Sequence, residues 1–242
     1  MQTSTQMTQA FAPTGTLRAS INLGNALLAN LNSATQQAFG ISIDLAHELA
    51  KRLGVGVELT LFDSARYSVE AVKDEKADIG FFAIDPLRGE GITFTSPYVV
   101  IEGGYMVGEN SKLQTIDEVD RAGHTIAVIK GSAYDLFLSR EIKHAEIVRE
   151  PSAPEVLNTF TSRNLDVVAG VKQLLVDEVK QNAGLRLLPG RFMEIQQAMV
   201  LPNGKGAAAA EYLRQFVQDV KASGFVHDAI RRHGIQGAAV PD

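Results

Sequence analysis

The sequence predicts an α/β fold built as two doubly wound lobes. Segments in which apolar and polar residues alternate, typical of strands, are followed by segments with apolar residues three or four apart, typical of helices. Nearly continuous apolar runs such as residues 80–84 indicate strands buried on both faces, as in parallel sheets. The series occurs twice in 242 residues, a length that suits two lobes of about 100 to 120 residues.

The first series begins near Thr16, after a breaker at Pro13 to Gly15. Leu45, Leu49 and Leu53 are spaced by four, which predicts an amphipathic helix. The predicted elements are a strand at 17–21, a helix between Gly40 and Gly54, a strand at 57–61, a helix at 64–74 and a strand at 80–84. Strand and helix in alternation imply a parallel sheet with right-handed crossovers.

A second series with the same order follows in the other half of the chain. Its predicted elements are a strand at 124–129, a helix at 133–140, a strand at 145–148, a helix at 153–161 and a strand at 165–171. A strand at 196–201 and helices at 207–222 and 225–232 complete the chain. This last part either rejoins the first lobe or stands apart.

Composition excludes several classes of function. With 23 Lys+Arg against 28 Asp+Glu, the net charge of −5 argues against a non-specific nucleic-acid binder. The absence of cysteine excludes disulfides, thiolate metal sites and a cysteine nucleophile. No apolar run reaches the roughly 18 residues of a membrane span, so we expect no membrane insertion.

Motifs for metals, cofactors and catalysis are missing as well. The five histidines lack zinc-binding spacing, and there is no nucleophile elbow, phosphate-binding loop or dinucleotide-binding loop. We therefore expect no metal, no cofactor and no catalytic residue. The first fourteen residues carry no basic start and no apolar core of an export signal.

Six motifs in order resemble the family 3 solute-binding proteins, the polar amino-acid receptors of ABC importers. The resemblance covers roughly residues 16–232. The motifs are Gly40-Ile-Ser-Ile-Asp44-Leu-Ala, Ala77-Asp78-Ile-Gly, Asp85-Pro-Leu-Arg88, Thr93-Phe-Thr-Ser-Pro97-Tyr98, Lys130-Gly131-Ser132-Ala133-Tyr134 and the strand from Arg163 to Val171.

The resemblance implies the type II periplasmic-binding architecture, in which a ligand is enclosed between two lobes. Lobe one would be residues 1–101 with 194–242, lobe two residues 106–190, and the hinge crossovers residues 102–105 and 191–193. It further implies a monomeric, non-enzymatic receptor that closes around a small carboxylate-bearing ligand, an amino acid or related organic acid, and meets a transporter permease. Its location would be the periplasm, or the cytoplasm if no export signal was removed.

The resemblance also implies a ligand-binding site. Arg88 would bind the ligand's carboxylate with its forked guanidinium. Ser132 and the backbone of Ala133, at a strand-to-helix turn, would meet the same carboxylate from the second lobe. Further candidates for the lining are Phe82, Asn22, Asn25, Asp63, Gly131, Tyr134 and Gly170.

Three positions depart from the family pattern. Ala83 replaces a hydroxyl residue, and Asp85 replaces the usual threonine, where it either caps the turn before Pro86 or contacts a ligand cation. Val171 stands where family members that bind α-amino acids place an acid that pairs with the ammonium. Either another acid such as Asp85 takes that role, or the ligand lacks a free α-amino group. Lys172 beside it would favour a second negative charge if it faced the ligand.

Two alternatives remain open at this point. Cyclohexadienyl dehydratases resemble the same family and eliminate water from prephenate or arogenate, but they place acidic residues where this chain has Val171 and Lys172. A cytoplasmic ligand-binding or sensor module is the other alternative.

Overall fold

The computed structural model describes residues 2–242, with side chains from Thr5 onward. Its helices are α1 (Gln2–Phe11), α2 (Ile41–Leu53), α3 (Ala65–Lys73), α4 (Ala133–Glu141), α5 (Ala153–Ser162), α6 (Lys172–Gln181), α7 (Gly206–Ala222) and α8 (Phe225–Arg232). Its strands are β1 (Thr16–Asn22), β2 (Asn30–Leu31), β3 (Ala38–Phe39), β4 (Gly56–Phe62), β5 (Ile79–Ala83), β6 (Ile92–Gly108), β7 (Thr125–Ile129), β8 (Glu146–Glu150), β9 (Val167–Val171), β10 (Leu185–Leu187) and β11 (Met193–Pro202). Short 3₁₀ turns cover Pro86–Arg88, Ile116–Glu118 and Asn203–Lys205.

The chain forms two compact units. Unit 1 contains the residues up to Val100 together with Gln196–Asp242, and unit 2 contains Ile101–Ile195. Strands β6 and β11 each contribute residues to both units. Both units combine a sheet with helices, so the predicted α/β class is confirmed.

In unit 1 the strand order is β4-β1-β5-β11. Strand β1 runs parallel to β4 and to β5, and β11 runs antiparallel to β5. Asn22 at the end of β1 lies opposite Phe62 at the end of β4. The carboxyl ends of β1, β4 and β5 therefore meet at one edge of this sheet, the position at which α/β sheets collect ligands.

The hydrophobic core of unit 1 explains the apolar pattern of β5, in which every residue is buried. Phe82 packs with Val69 and Val72 of α3 and with Val200 of β11. Helix α2 buries the leucines that predicted it and ends at Gly54, whose φ of 70° is the left-handed conformation that glycine adopts without strain.

In unit 2 the strand order is β10-β6-β9-β7-β8. Strand β7 runs parallel to β8 and β9, whereas β6 runs antiparallel to β9 and β10. Phe160 of α5 and Leu175 of α6 pack against the sheet residues Met106, Ala127 and Val168. The carboxyl ends of β7, β8 and β9 thus share one edge of the second sheet.

Every strand and helix predicted in the two series is present, with ends shifted by no more than three residues. The prediction that the fold begins near Thr16 is wrong, because α1 precedes it. Phe11 of α1 is fully buried and lies 5.7 Å, between ring centroids, from Tyr212 of α7. Strand β6, helix α6, the short β2 and β3 pair and β10 were not predicted.

Asp78 is a fully buried carboxylate in the turn that leads into β5. Its Oδ2 accepts hydrogen bonds from the backbone N–H (3.0 Å) and the Nε (2.9 Å) of Arg18, and its Oδ1 accepts one from Lys205 Nζ at 2.5 Å. Burial alone raises the pKa of Asp78, but these hydrogen bonds outweigh it and hold the pKa below its usual value. The three residues connect the starts of β1 and β5 with the start of α7.

Candidate ligand-binding site

In unit 1 the candidate site lies where β5 ends. Asp85 begins a 3₁₀ turn, and its Oδ1 accepts the Leu87 N–H at 2.9 Å. The Arg88 N–H donates to the Asp85 carbonyl at 3.0 Å, which closes the turn. Pro86 suits the first position of such a turn because it has no N–H to satisfy. The predicted cap at Asp85 is confirmed, and the turn places Arg88 directly after the strand.

Arg88 is a buried cation, with only 6% of its surface exposed. Its Nη1 donates to the carbonyl of Ala83 at 3.3 Å. Burial lowers the pKa of Arg88 to about 10, against the opposing effect of the negative charge of Asp85. The guanidinium therefore stays protonated at neutral pH. A guanidinium has five N–H donors in a planar fork, the geometry that matches the two oxygens of a carboxylate.

The ends of β1 and β4 bring Asn22, Asn25 and Asp63 to the same edge. The Oδ1 of Asn22 accepts the Gly24 N–H at 2.9 Å, and Asp63 is exposed. A Cβ at Gly24 would lie 2.8 Å from the Asp63 carbonyl, so this crossing of the two loops requires glycine. The Oδ1 of Asn25 is buried and has no hydrogen-bond partner within residues 2–242. These neutral amides lie at or after the end of β1, the strand that pairs with β5.

In unit 2 the corresponding edge holds the turn between β7 and α4. Ser132 caps α4, its Oγ accepting the Asp135 N–H at 3.1 Å. Gly131, with φ 74°, donates its N–H to Asp135 Oδ2 at 2.8 Å. The N–H groups of Ala133 and Tyr134 belong to the first turn of α4, where no intrahelical acceptor exists. They are the donors that this turn offers to an anion.

Asp135 and Arg149 support this turn, and the sequence prediction missed both. Asp135 is buried, and its Oδ1 accepts Arg149 Nε at 2.9 Å. The spacing of Ser132 and Asp135 is that of a capping box, a signal visible in the sequence. The role of Arg149 depends on the pairing of β8 with β7, which no local pattern gives.

At the end of β9 the edge is apolar. Val171 is buried and precedes α6. Lys172 has an acidic partner, since its Nζ donates a hydrogen bond to Glu102 Oε2 at 2.8 Å. The other oxygen of the same carboxylate, Glu102 Oε1, accepts a hydrogen bond from Arg191 Nη1 at 2.8 Å. Hydrogen bonds from Lys172 and Arg191 lower the pKa of Glu102. The positive charge of Lys172 is therefore balanced within unit 2.

Three predicted lining residues are buried. Phe82 belongs to the core of unit 1, and a Cβ at Gly170 would lie 3.1 Å from Leu175 in the core of unit 2. The Phe82 side chain is thus part of the core of unit 1, and ligand contact at Gly170 stays a prediction. The side chain of Tyr134, in the first turn of α4, is buried, and burial raises the pKa of its hydroxyl. Its side chain thus supports the turn, and only its backbone stays a candidate contact.

A family model of bacterial extracellular solute-binding proteins, family 3, matches residues 28–234. The chain belongs to this family. A search of curated proteins finds no significant match. No helix among the described residues is long and apolar enough to cross a membrane.

Several solved structures share the fold of this family 3 protein. The L-cysteine solute receptor of Neisseria gonorrhoeae has a TM-score of 0.81 at 20% identity, over 95% of this chain and 94% of its own. An amino-acid ABC transporter substrate-binding protein from Streptococcus pneumoniae, bound to L-arginine, has a TM-score of 0.79 at 20% identity. The match covers 93% of this chain and 97% of the other chain. An ancestral amino-acid-binding protein described as a precursor of cyclohexadienyl dehydratase has a TM-score of 0.77 at 19% identity. The match covers 93% of this chain and 98% of the other chain. The predicted type II periplasmic-binding fold is confirmed.

Proposed function

We propose that this protein is the solute-binding component of an ABC importer and binds a small solute through its carboxylate, without catalysing a reaction. The observation that carries the proposal is Arg88, a protonated and almost fully buried arginine at the ligand-collecting edge of the unit 1 sheet. The guanidinium presents five N–H donors in a planar fork. A forked contact with a carboxylate is the contact that this geometry suits best.

The turn of unit 2 supplies the second half of the proposed contact. Ser132 and the N–H groups of Ala133 and Tyr134 lie at the start of a helix, where the backbone favours an anion. In this proposal they meet the carboxylate held by Arg88, and residues 102–105 and 191–193 act as hinges. The bond from Arg191 to Glu102 supports this, because it joins the two proposed hinge segments.

The lyase alternative receives less support from the residues at the end of β9. A dehydratase needs an acid to protonate the leaving hydroxyl. Val171 is apolar there, and Lys172 is paired with Glu102. The structural relative whose description mentions a dehydratase is itself described as an amino-acid-binding protein.

A thermal-shift screen of the purified chain tests the proposal. The panel contains amino acids, dicarboxylates, aromatic acids and prephenate. Each of the first three kinds of acid is compared with its methyl ester or amide. We expect at least one carboxylate to raise the melting temperature and its neutral ester to lose that effect, since ligand that binds only the folded state stabilises it. Stabilisation by ester and acid alike, or formation of phenylpyruvate from prephenate, would contradict the proposal.

A further inference from the structure

Helix α4 carries a negative charge in its own first turn. Asp135 lies there and is buried, with 4% of its surface exposed. Its Oδ2 accepts the Gly131 N–H at 2.8 Å, so the carboxylate lies beside the turn that is proposed to meet the ligand. An acid at this place already interacts with the positive end of the helix. A ligand carboxylate therefore encounters a like charge where it is proposed to bind.

The total charge around this turn decides whether it attracts or repels a carboxylate. The start of a helix acts as about half a positive elementary charge, whereas the Asp135 carboxylate carries a full negative one. Together they amount to about −0.5 elementary charge, which repels an anion. One more positive charge at the same place changes the total to about +0.5, which attracts an anion. The turn thus needs a cation beside Asp135 in order to hold a carboxylate.

Arg149 of β8 supplies this cation. Its Nε donates to Asp135 Oδ1 at 2.9 Å, and its Nη2 donates to Ser139 Oγ at 2.8 Å, one helical turn further along α4. Strand β8 pairs with β7, the strand that leads into the turn, so the sheet holds the arginine beside α4. Water screens a buried carboxylate poorly, so its charge acts on its neighbours unless a close ion pair compensates it.

We propose that Arg149 is a positioning residue that acts through Asp135: by neutralising this buried acid, it allows the start of α4 to bind a carboxylate. This inference rests on the proposed function, in which the N–H groups of Ala133 and Tyr134 meet the carboxylate. Arg149 makes no contact with the ligand in this proposal. Its consequence is a difference in sign within one ion pair: loss of the arginine weakens binding, whereas loss of the acid does not.

Isothermal titration of variants of the full chain tests the proposal. The probe is the compound that binds the wild type most tightly among the standard L-amino acids, succinate, glutarate and 3-phenylpropanoate. We expect Arg149→Gln to weaken its binding about 10-fold or more, because an uncompensated acid several ångströms away opposes the carboxylate. Arg149→Lys keeps the positive charge and should stay within about 3-fold of the wild type.

Asp135→Asn separates the charge of the ion pair from its structural role. Asparagine can still accept the Gly131 N–H, so the turn keeps this hydrogen bond. We expect Asp135→Asn to bind the probe at least as tightly as the wild type. Adding Arg149→Gln to Asp135→Asn should change the affinity by less than about 3-fold, since the two residues act as a unit. A structural role alone would predict weaker binding in both single variants.

Arg121→Gln is the matched control, because Arg121 is also in unit 2 and forms a largely exposed ion pair with Glu118. Its affinity for the probe should equal that of the wild type. Urea unfolding of each variant verifies that it is folded.

Four results would overturn the role given to Arg149. They are wild-type affinity in a folded Arg149→Gln variant, an equal loss in Arg149→Lys, an equal loss in the double variant, and weaker binding by a folded Asp135→Asn variant. The last of these decides the matter even if Arg149→Gln does not fold. In all four cases carboxylate binding by the wild type would stand. If no compound of the panel binds the wild type, the proposed function fails and this inference with it.

Discussion

Replacing Asp78 with asparagine is expected to lower the free energy of unfolding by about 3 kcal/mol at neutral pH. Asp78 is fully buried and accepts charge-assisted hydrogen bonds from Arg18 and Lys205. Asparagine has a similar shape but presents an amide that cannot compensate the two cations. Urea unfolding followed by circular dichroism measures the loss.

The contribution of Asp78 depends on pH in a defined direction. Its pKa in the folded state lies below its usual value, because the hydrogen bonds outweigh burial. A group of this kind stabilises the fold above its unfolded pKa of about 3.9, and that contribution is lost as the pH falls through the lower folded value. The difference in stability between wild type and Asp78→Asn should therefore shrink below about pH 4.

Asp74→Asn is the control for this prediction. Asp74 forms an ion pair with Lys76 in which both side chains are largely exposed, and such pairs contribute little. A difference of less than about 0.5 kcal/mol is expected. If Asp78→Asn were no less stable than Asp74→Asn at neutral pH, the buried network would not have the role given to it here.

Arg88→Ala is expected to weaken binding of the carboxylate ligand found in the screen by about 100- to 1,000-fold. The substitution removes the buried cation and leaves both Asp85 and the ligand carboxylate without it. Arg88→Lys keeps the charge but loses the fork, so we expect a smaller loss. Isothermal titration gives the affinities, and urea unfolding of each variant verifies that it is folded.

Arg66→Ala is the matched control on the same unit, since Arg66 is exposed and forms an ion pair with Glu70, four residues on. Its affinity should equal that of the wild type. A folded Arg88→Ala variant with wild-type affinity would remove Arg88 from the site.

The fold was largely predictable because most of its helices and strands have a characteristic pattern of apolar residues in their own sequence. The alternation in β1 and the fourfold spacing in α2 each follow from burial of one face. Helix α1 was missed because its polar composition concealed Met7 and Phe11, which are four apart and buried. Strand β6 contains Pro97 and two adjacent glycines, which weaken a strand signal, and its pairing with β9 comes from distant residues.

The candidate site was predictable only in part. Arg88 and Ser132 were identified because their motifs resemble those of a family, and the structure places both at sheet edges. Alternation along β5 puts Phe81 and Phe82 on opposite faces but cannot tell which face is covered by α3. The partners of Lys172 and Asp135 lie 70 and 14 residues away in the chain, so only the fold reveals that these charges are balanced.

A crystal structure of the chain with the tightest ligand from the screen tests the central claim most directly. We predict that the Arg88 guanidinium lies within about 3 Å of both carboxylate oxygens, and that the backbone N–H groups of Ala133 and Tyr134 contact the same carboxylate. A ligand bound with its carboxylate away from Arg88, and with that arginine still bonded to the Ala83 carbonyl, would contradict the account.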